Sequence, residues 1–166
     1  MTFEQFKTNV EAWQEARGIY AHSTALSQAL KAVSEVGELA DAVIKGDRDA
    51  LKDAIGDVVV CLVGVANMIG CDIELSETNY VHPAMGVQAI AAMTSYFVAD
   101  IASDIAECGE FWKVEVSIEN SIINLSGLAL DNNLTLLECC ESAWHEIKDR
   151  KGKMVAGGAF VKDGDV

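Results

Sequence analysis

Nine apolar or small residues, Val58-Val59-Val60-Cys61-Leu62-Val63-Gly64-Val65-Ala66, follow without a break from the acidic step Asp53-Ala54-Ile55-Gly56-Asp57. A segment that is apolar on nearly all sides has to lie at the centre of whatever it folds into. Read locally, Val58-Val59-Val60 suits a strand, because β-branched residues favour sheets. The apolar stretch is longer than an ordinary strand, however, and no second strand-like run exists to pair with it. The sequence therefore predicts a central helix over 49–69 that stops at Gly70. Asp53 and Asp57 then stand one turn apart where that helix turns apolar. An unpaired carboxylate in apolar surroundings is costly, so such a group is paired, protonated or bound to a cation.

The flanking segments carry helical periodicity as well. Phe3, Phe6, Val10 and Trp13 recur at three- and four-residue steps, which predicts an amphipathic helix over 3–17 ending near Gly18. Leu30, Val33, Val36, Ala40 and Val43 make a second stripe over 23–44, with Ser23 or Thr24 as N-cap and Gly46 as the stop. On this reading the opposite face holds Gln28, Lys31, Glu35 and Glu38. After a polar turn at Ser76-Glu77-Thr78-Asn79, further helices are expected over 84–107, 113–130 and 134–150. Gly152, Gly157 and Gly158 loosen the tail, with Ala159-Phe160-Val161-Lys162 as a short extended piece. The sum is an all-α helical bundle. With 166 residues, 51% of them hydrophobic, and Pro83 as the single proline, one domain over 1–166 is expected. Within it, 1–75 would hold the acidic helices, 76–133 a helical insert and 134–162 a C-terminal helix with its tail.

That insert carries an echo of the first half. Val58 to Leu75 set against Ser121 to Glu138 matches Leu62 with Leu125, Gly64 with Gly127 and Ala66 with Ala129, and pairs Asp57 with Asn120. At a slightly different offset, Gln28 to Ile44 falls on Gln88 to Asp104, placing Ser95 and Val98 opposite Glu35 and Glu38. The pattern suggests a degenerate internal duplication whose second copy lacks the acidic set. Chance likeness between apolar helices is the competing reading.

A net charge of −14 argues against general binding to nucleic acid or an anionic membrane, since both surfaces would repel the chain. The longest apolar run is also shorter than the ~20 residues that span a bilayer. No basic stretch followed by an apolar one opens the chain, so a cytoplasmic protein is expected. Cys61, Cys71, Cys108, Cys139 and Cys140 are odd in number and form no CxxC pair, so they read as reduced and mostly core.

Glu35 and Glu38 are three apart, and Asp53 and Asp57 four apart, so within each helix the two side chains share a face. If the two helices face one another, four carboxylates converge. Hard oxygen ligands of this kind suit Mg²⁺ or Mn²⁺, which in turn suit phosphate substrates. The plainer alternative leaves Glu35 and Glu38 on a solvated helix face. Cations are placed just as unevenly: no Lys or Arg lies between Lys52 and Lys113, whereas Lys148, Arg150, Lys151 and Lys153 crowd together. That cluster suits either a phosphate or the C-terminal end of a helix dipole. Trp13, Tyr20, His22, Trp112 and Trp144 include candidates for base stacking, against the commoner role of core or rim residue.

Three strings together carry a family likeness. They are Gln28-Ala29-Leu30-Lys31-Ala32-Val33-Ser34-Glu35-Val36-Gly37-Glu38-Leu39-Ala40, the Gly56-Asp57 step into an apolar helix with Asn67 near its end, and Glu146-Ile147-Lys148-Asp149-Arg150-Lys151-Gly152-Lys153-Met154. The chain resembles the MazG-like all-α nucleoside triphosphate pyrophosphohydrolases, in particular bacteriophage-type variants. The likeness covers 1–75 and 134–162 and leaves the middle poorly matched. It implies Mg²⁺-dependent hydrolysis of (deoxy)nucleoside triphosphates to the monophosphate and pyrophosphate, in the cytoplasm of a bacterium or a phage-infected host. It also implies a homodimer or larger assembly, unless the second half replaces a partner subunit.

Glu35, Glu38 and Asp57 match family metal ligands, and Glu38 would orient or deprotonate the attacking water. Lys31, Asn67, Lys148 and Arg150, with Lys151 and His22, are substrate-side candidates. The family motif is an ExxE pair followed by an ExxD pair, and the departure is Ala54, which stands where ExxD would place its glutamate, with Asp53 as a shorter replacement one residue earlier. Rival readings are a deoxyuridine triphosphatase-like or phosphoribosyl-nucleotide pyrophosphohydrolase, and an inactive nucleotide- or protein-binding bundle.

Overall fold

The computed structural model describes residues 1–74 and 85–164. Among them seven helices run in the order α1 (Phe3–Ala16), α2 (Ile19–His22), α3 (Ala25–Lys45), α4 (Arg48–Ile69), α5 (Val87–Ala106), α6 (Phe111–Asp131) and α7 (Leu136–Ile147). Two short strands close the chain, β1 (Gly152–Met154) and β2 (Phe160–Lys162), paired antiparallel with Lys153 opposite Val161. Among the described residues the fold is all-α, apart from this one small hairpin.

Local sequence sets the helix ends. Thr2 and Gln5 form a capping box on α1, and Thr135 and Glu138 form another on α7. The Thr24 side chain accepts from the Ser27 amide to start α3, and Asp47 accepts from the Ala50 amide to start α4. Between those two helices Gly46 sits at φ +66°, a left-handed conformation that L side chains rarely adopt. The chain therefore reverses over Gly46 and Asp47 alone, and α3 and α4 form a tight hairpin.

Helix α4 is the axis of the molecule, with Ala54, Ile55, Gly56 and every residue from Val58 to Ala66 buried. It packs against α3 and α7 most extensively, and also against α1 and α6. Four neighbours are what an all-round apolar helix requires. The approach of α7 is possible because Gly56 has no side chain: a Cβ there would meet the Cys139 carbonyl oxygen at 2.4 Å and the Ala143 Cβ at 2.7 Å. A second hairpin, α5–α6, lies against α3 through α5 and against α4 through α6.

The face that α3 buries differs from the periodicity reading. Gln28, Ala29, Ala32, Glu35, Val36, Leu39 and Ala42 point inward, while Leu30, Val33 and Ile44 are 56%, 37% and 74% exposed. The alanines decide this, because they let α3 approach both α4 and α5 closely where a Leu30/Val33 seam could not. The two buried polar groups are satisfied: Gln28 Nε2 donates to Ser23 Oγ at 2.9 Å, and Glu35 is paired with Lys31.

Smaller differences have equally local causes. Helix α2 is an extra single turn between Gly18 and Ser23. Helix α7 ends at Ile147 rather than Arg150, and Gly152–Met154 pairs with the tail instead of hanging loose. Cys61, Cys139 and Cys140 are core, but Cys71 is half-buried and Cys108 is exposed; all are free thiols. Val87–Ala106 is also long and apolar enough to cross a membrane by length and composition, although here it packs as α5 on α3 and α6. The expected turn at 76–79 lies outside the described residues.

Candidate functional site

A pocket of about 110 Å³ opens where α1, α3, α4, α7 and the C-terminal hairpin meet. Its polar wall is Ser27, Gln28, Lys31 and Glu35 from α3, Asp57 from α4, and Arg150 just beyond α7. Its apolar wall is made by Trp13, Ile19, Val60, Ile147 and Phe160. The lining thus combines groups suited to charge with an apolar surface suited to a ring or edge.

Both cations of the pocket, Lys31 and Arg150, are already engaged by glutamates. The Glu35 side chain is only 8% exposed and its ion-pair partner is the Lys31 ammonium, one turn back on the same helix. The carboxyl of Asp57 is pushed up to about 6, first by burial and then by the negative charge of Glu35, against smaller opposing pulls from Arg150 and Lys31. Lys31 is itself raised, burial being outweighed by its bond to Glu35 and by that residue's charge. Arg150 is shared, since its Nη2 lies 3.7 Å from Glu146 Oε2. Asp57, half-buried beside the Lys31-paired Glu35, thus holds its charge at a free-energy cost, the electrostatic condition expected of a cation site.

The apolar wall is held by several contacts. Gln14 Nε2 donates to the Val60 carbonyl at 3.1 Å and its Oε1 accepts from the Tyr20 hydroxyl at 2.7 Å. Space for that amide exists because residue 64 is glycine; a Cβ there would lie 2.9 Å from Gln14 Nε2. Trp13 meets Phe160 edge to face with centroids 5.5 Å apart, and the Arg17 guanidinium lies 5.5 Å from the Trp13 ring centroid. Arg17 also donates from Nε and Nη2 to the Arg150 carbonyl at 3.1 and 3.0 Å. The Trp13 indole N–H is buried without a partner among the described residues, an open donor at the pocket wall.

Of the residues singled out from sequence, Lys31, Glu35, Asp57 and Arg150 meet in this pocket. Glu38 is exposed one turn further along α3, though its charge is felt at Lys31. Asp53 turns toward α7, where its Oδ1 accepts from the Ser142 hydroxyl at 3.3 Å. Asn67 is exposed ten residues beyond Asp57, about 15 Å along the helix. Lys148, Lys151 and His22 are exposed and do not line the pocket. Trp112 is exposed, and Trp144 is half-buried on α7.

Among the described residues no group of three or more His, Cys, Asp or Glu side chains is gathered as a metal cluster. The pair Glu35 and Asp57 nevertheless fits Mg²⁺, which keeps several of its waters and is commonly held by one or two carboxylates together with substrate phosphates. Sequence reading missed Cys61, Phe160 and the pocket-side roles of Gln14 and Gln28. Cys61 was within reach, since it stands one turn after Asp57; Phe160 was not, since nothing local folds the tail back onto α1.

Comparison with known proteins points the same way. Residues 23–80, the segment that carries Lys31, Glu35 and Asp57, match the MazG nucleotide pyrophosphohydrolase domain. A protein of Haemophilus phage HP1, described only as an uncharacterized 18.2 kDa protein in the rep-hol intergenic region, is 36% identical over 74 residues. That stretch is 45% of this chain and 45% of the phage protein, so the match spans just under half of either. No solved structure matches the chain.

Proposed function

We propose that this chain hydrolyses (deoxy)nucleoside triphosphates between the α and β phosphates, releasing the monophosphate and pyrophosphate with Mg²⁺ or Mn²⁺ bound at Glu35 and Asp57. The observation that carries this reading is the under-compensated Asp57 carboxyl beside buried Glu35, within the segment that matches the MazG domain. Enzymes of this family generally use divalent metals. The bound ion would neutralise phosphate oxygens and make a water nucleophilic.

The chain's own groups do the rest. Lys31 and Arg150 bring positive charge to the same pocket and are suited to phosphate oxygens. The apolar wall of Trp13, Ile19 and Phe160 suits the base or sugar. Glu38, solvent-facing one turn from Glu35, is proposed to orient or deprotonate the attacking water, with Asp53 as an outer support.

We further propose that the chain acts in the cytoplasm as a homodimer or larger assembly. The exposed apolar residues Leu30, Val33 and Ile44 on α3 support an assembly of that kind. A second reading, nucleotide binding without turnover, is favoured by the absence of a third acidic group beside Glu35 and Asp57 among the described residues.

Pyrophosphate release from the eight common NTPs and dNTPs, with Mg²⁺ or Mn²⁺, tests the proposal. Glu35→Gln and Asp57→Asn are each expected to lower release by about a hundredfold or more. Tight nucleotide binding with no release from any of the eight would establish the second reading instead.

A further inference from the structure

We propose that Lys31 is a built-in, exchangeable counter-ion. In the metal-free protein its ammonium holds Glu35, and it leaves for the nucleotide's phosphates when a divalent cation enters. This rests on the reading of Glu35 and Asp57 as the ion-holding pair.

Three features of the structure carry the inference. Glu35 is buried while its partner Lys31 is 48% exposed, so one member of the pair is fixed and the other is free to swing. The contact joins adjacent turns of a single helix, so Lys31 can release Glu35 by side-chain rotation alone, with no backbone movement. Both residues line the same pocket, together with Asp57 and Arg150, so the released ammonium stays in the pocket where phosphates would sit.

A bound divalent ion and the Lys31 ammonium would compete for the same carboxylate. An ammonium is also a strongly hydrated point charge on a flexible stem, well suited to changing partners. Linkage then fixes the consequence: whatever draws Lys31 away from Glu35 favours the metal, and the metal frees Lys31 for phosphate, so the two ligands assist one another to the same degree.

Two binding measurements test this without turnover. Mn²⁺ binding is followed by the loss of the free-ion electron paramagnetic resonance signal, in the absence of nucleotide, for the wild type, Lys31→Met, Asp57→Asn and the control Lys45→Met. Lys45 lies on the same helix, exposed and paired with Asp41, some 21 Å further along, and it reports the effect of net charge alone. Lys31→Met is expected to bind Mn²⁺ about tenfold more tightly than wild type, with Lys45→Met near wild type. Inorganic tripolyphosphate is then titrated with and without Mn²⁺. Its affinity is expected to rise about tenfold with Mn²⁺ in the wild type, a gain that shrinks in Lys31→Met.

Weaker or unchanged Mn²⁺ binding in Lys31→Met, with binding lost in Asp57→Asn, overturns the exchange while leaving the ion-holding pair intact. Mn²⁺ binding that survives Asp57→Asn, or that is missing in both wild type and Lys31→Met, overturns the pair and the exchange together.

Discussion

Replacing Asp57 by Asn should make the metal-free protein more stable, not less. Burial and the neighbouring Glu35 move the Asp57 carboxyl from 3.8 to about 6, which corresponds to about 3 kcal/mol against its ionised form. The folded state therefore binds this proton more tightly than the unfolded chain does. In linkage terms, stability contributed by Asp57 falls as pH rises from about 4 to about 6 and is level above that. Asn keeps the shape and never ionises. The variant should thus exceed wild type by up to about 3 kcal/mol at pH 8, an upper figure because Asp57 retains some solvent contact. At pH 4 the margin should fall below about 1 kcal/mol.

Urea unfolding at pH 8 and pH 4 in the presence of EDTA measures this directly, and thermal scans should show a gain of about 6–12 °C at pH 8. Added Mg²⁺ should narrow the margin, because the ion stabilises wild type by binding its folded state and finds no charge at residue 57 of the variant. A variant no more stable than wild type at pH 8, or a margin equal at both pH values, would refute the picture of an under-compensated buried charge.

Three further outcomes are expected. Gly56→Ala should cost about 1–3 kcal/mol in unfolding free energy, because its Cβ meets the Cys139 carbonyl oxygen at 2.4 Å; a neutral result would mean that α7 yields easily. Gly158→Ala should cost about 1–2 kcal/mol, since residue 158 is at φ +76° with Ser23 and Ser27 at 3.3 Å, and a shifted Trp13 indole resonance would show the hairpin loosening over the pocket. At pH 8 a thiol reagent should modify exposed Cys108 first and half-buried Cys71, raised to about 11, more slowly. Cys139, raised to about 12, and Cys61 and Cys140, raised further still by burial, should react only on unfolding; early modification of Cys61 would show that the pocket opens more widely.

What could be read from the sequence divides by range. Helix ends announced themselves because caps are local: Thr24, Gly46 and Gly70 act within a turn of where they stand. The centrality of α4 was legible because an all-round apolar helix permits one location only. The facing of α3 was not, because Leu30 and Val33 compete for burial with Ala29 and Ala32, and the choice depends on how closely α4 and α5 approach. The same competition hid a property of the site: setting Glu35 opposite the apolar stripe hides its burial. Phe160 and Trp13 meet only after the tail has crossed the molecule, a contact spanning most of the chain that no local pattern encodes.

The two hairpins also explain how an acidic pocket can exist in a bundle this apolar. Hairpins α3–α4 and α5–α6 are nearly equal in length, at 21 and 22 residues against 20 and 21. At the positions the internal echo aligns, the second hairpin keeps no charge that needs a cation. Asn120, opposite Asp57, spends its amide on the Val116 carbonyl of its own helix at 2.9 Å. Ser95, opposite Glu35, gives its hydroxyl to the Ala91 carbonyl at 2.9 Å, and Val98, opposite Glu38, is buried. With its polar groups satisfied internally, α5 can cover one flank of α3 while asking nothing of it electrostatically. That cover helps keep water from the buried face of α3, which includes Glu35, and exclusion of water strengthens the repulsion between Glu35 and Asp57. The hairpin without carboxylates thereby helps to set the charge chemistry of the one that has them.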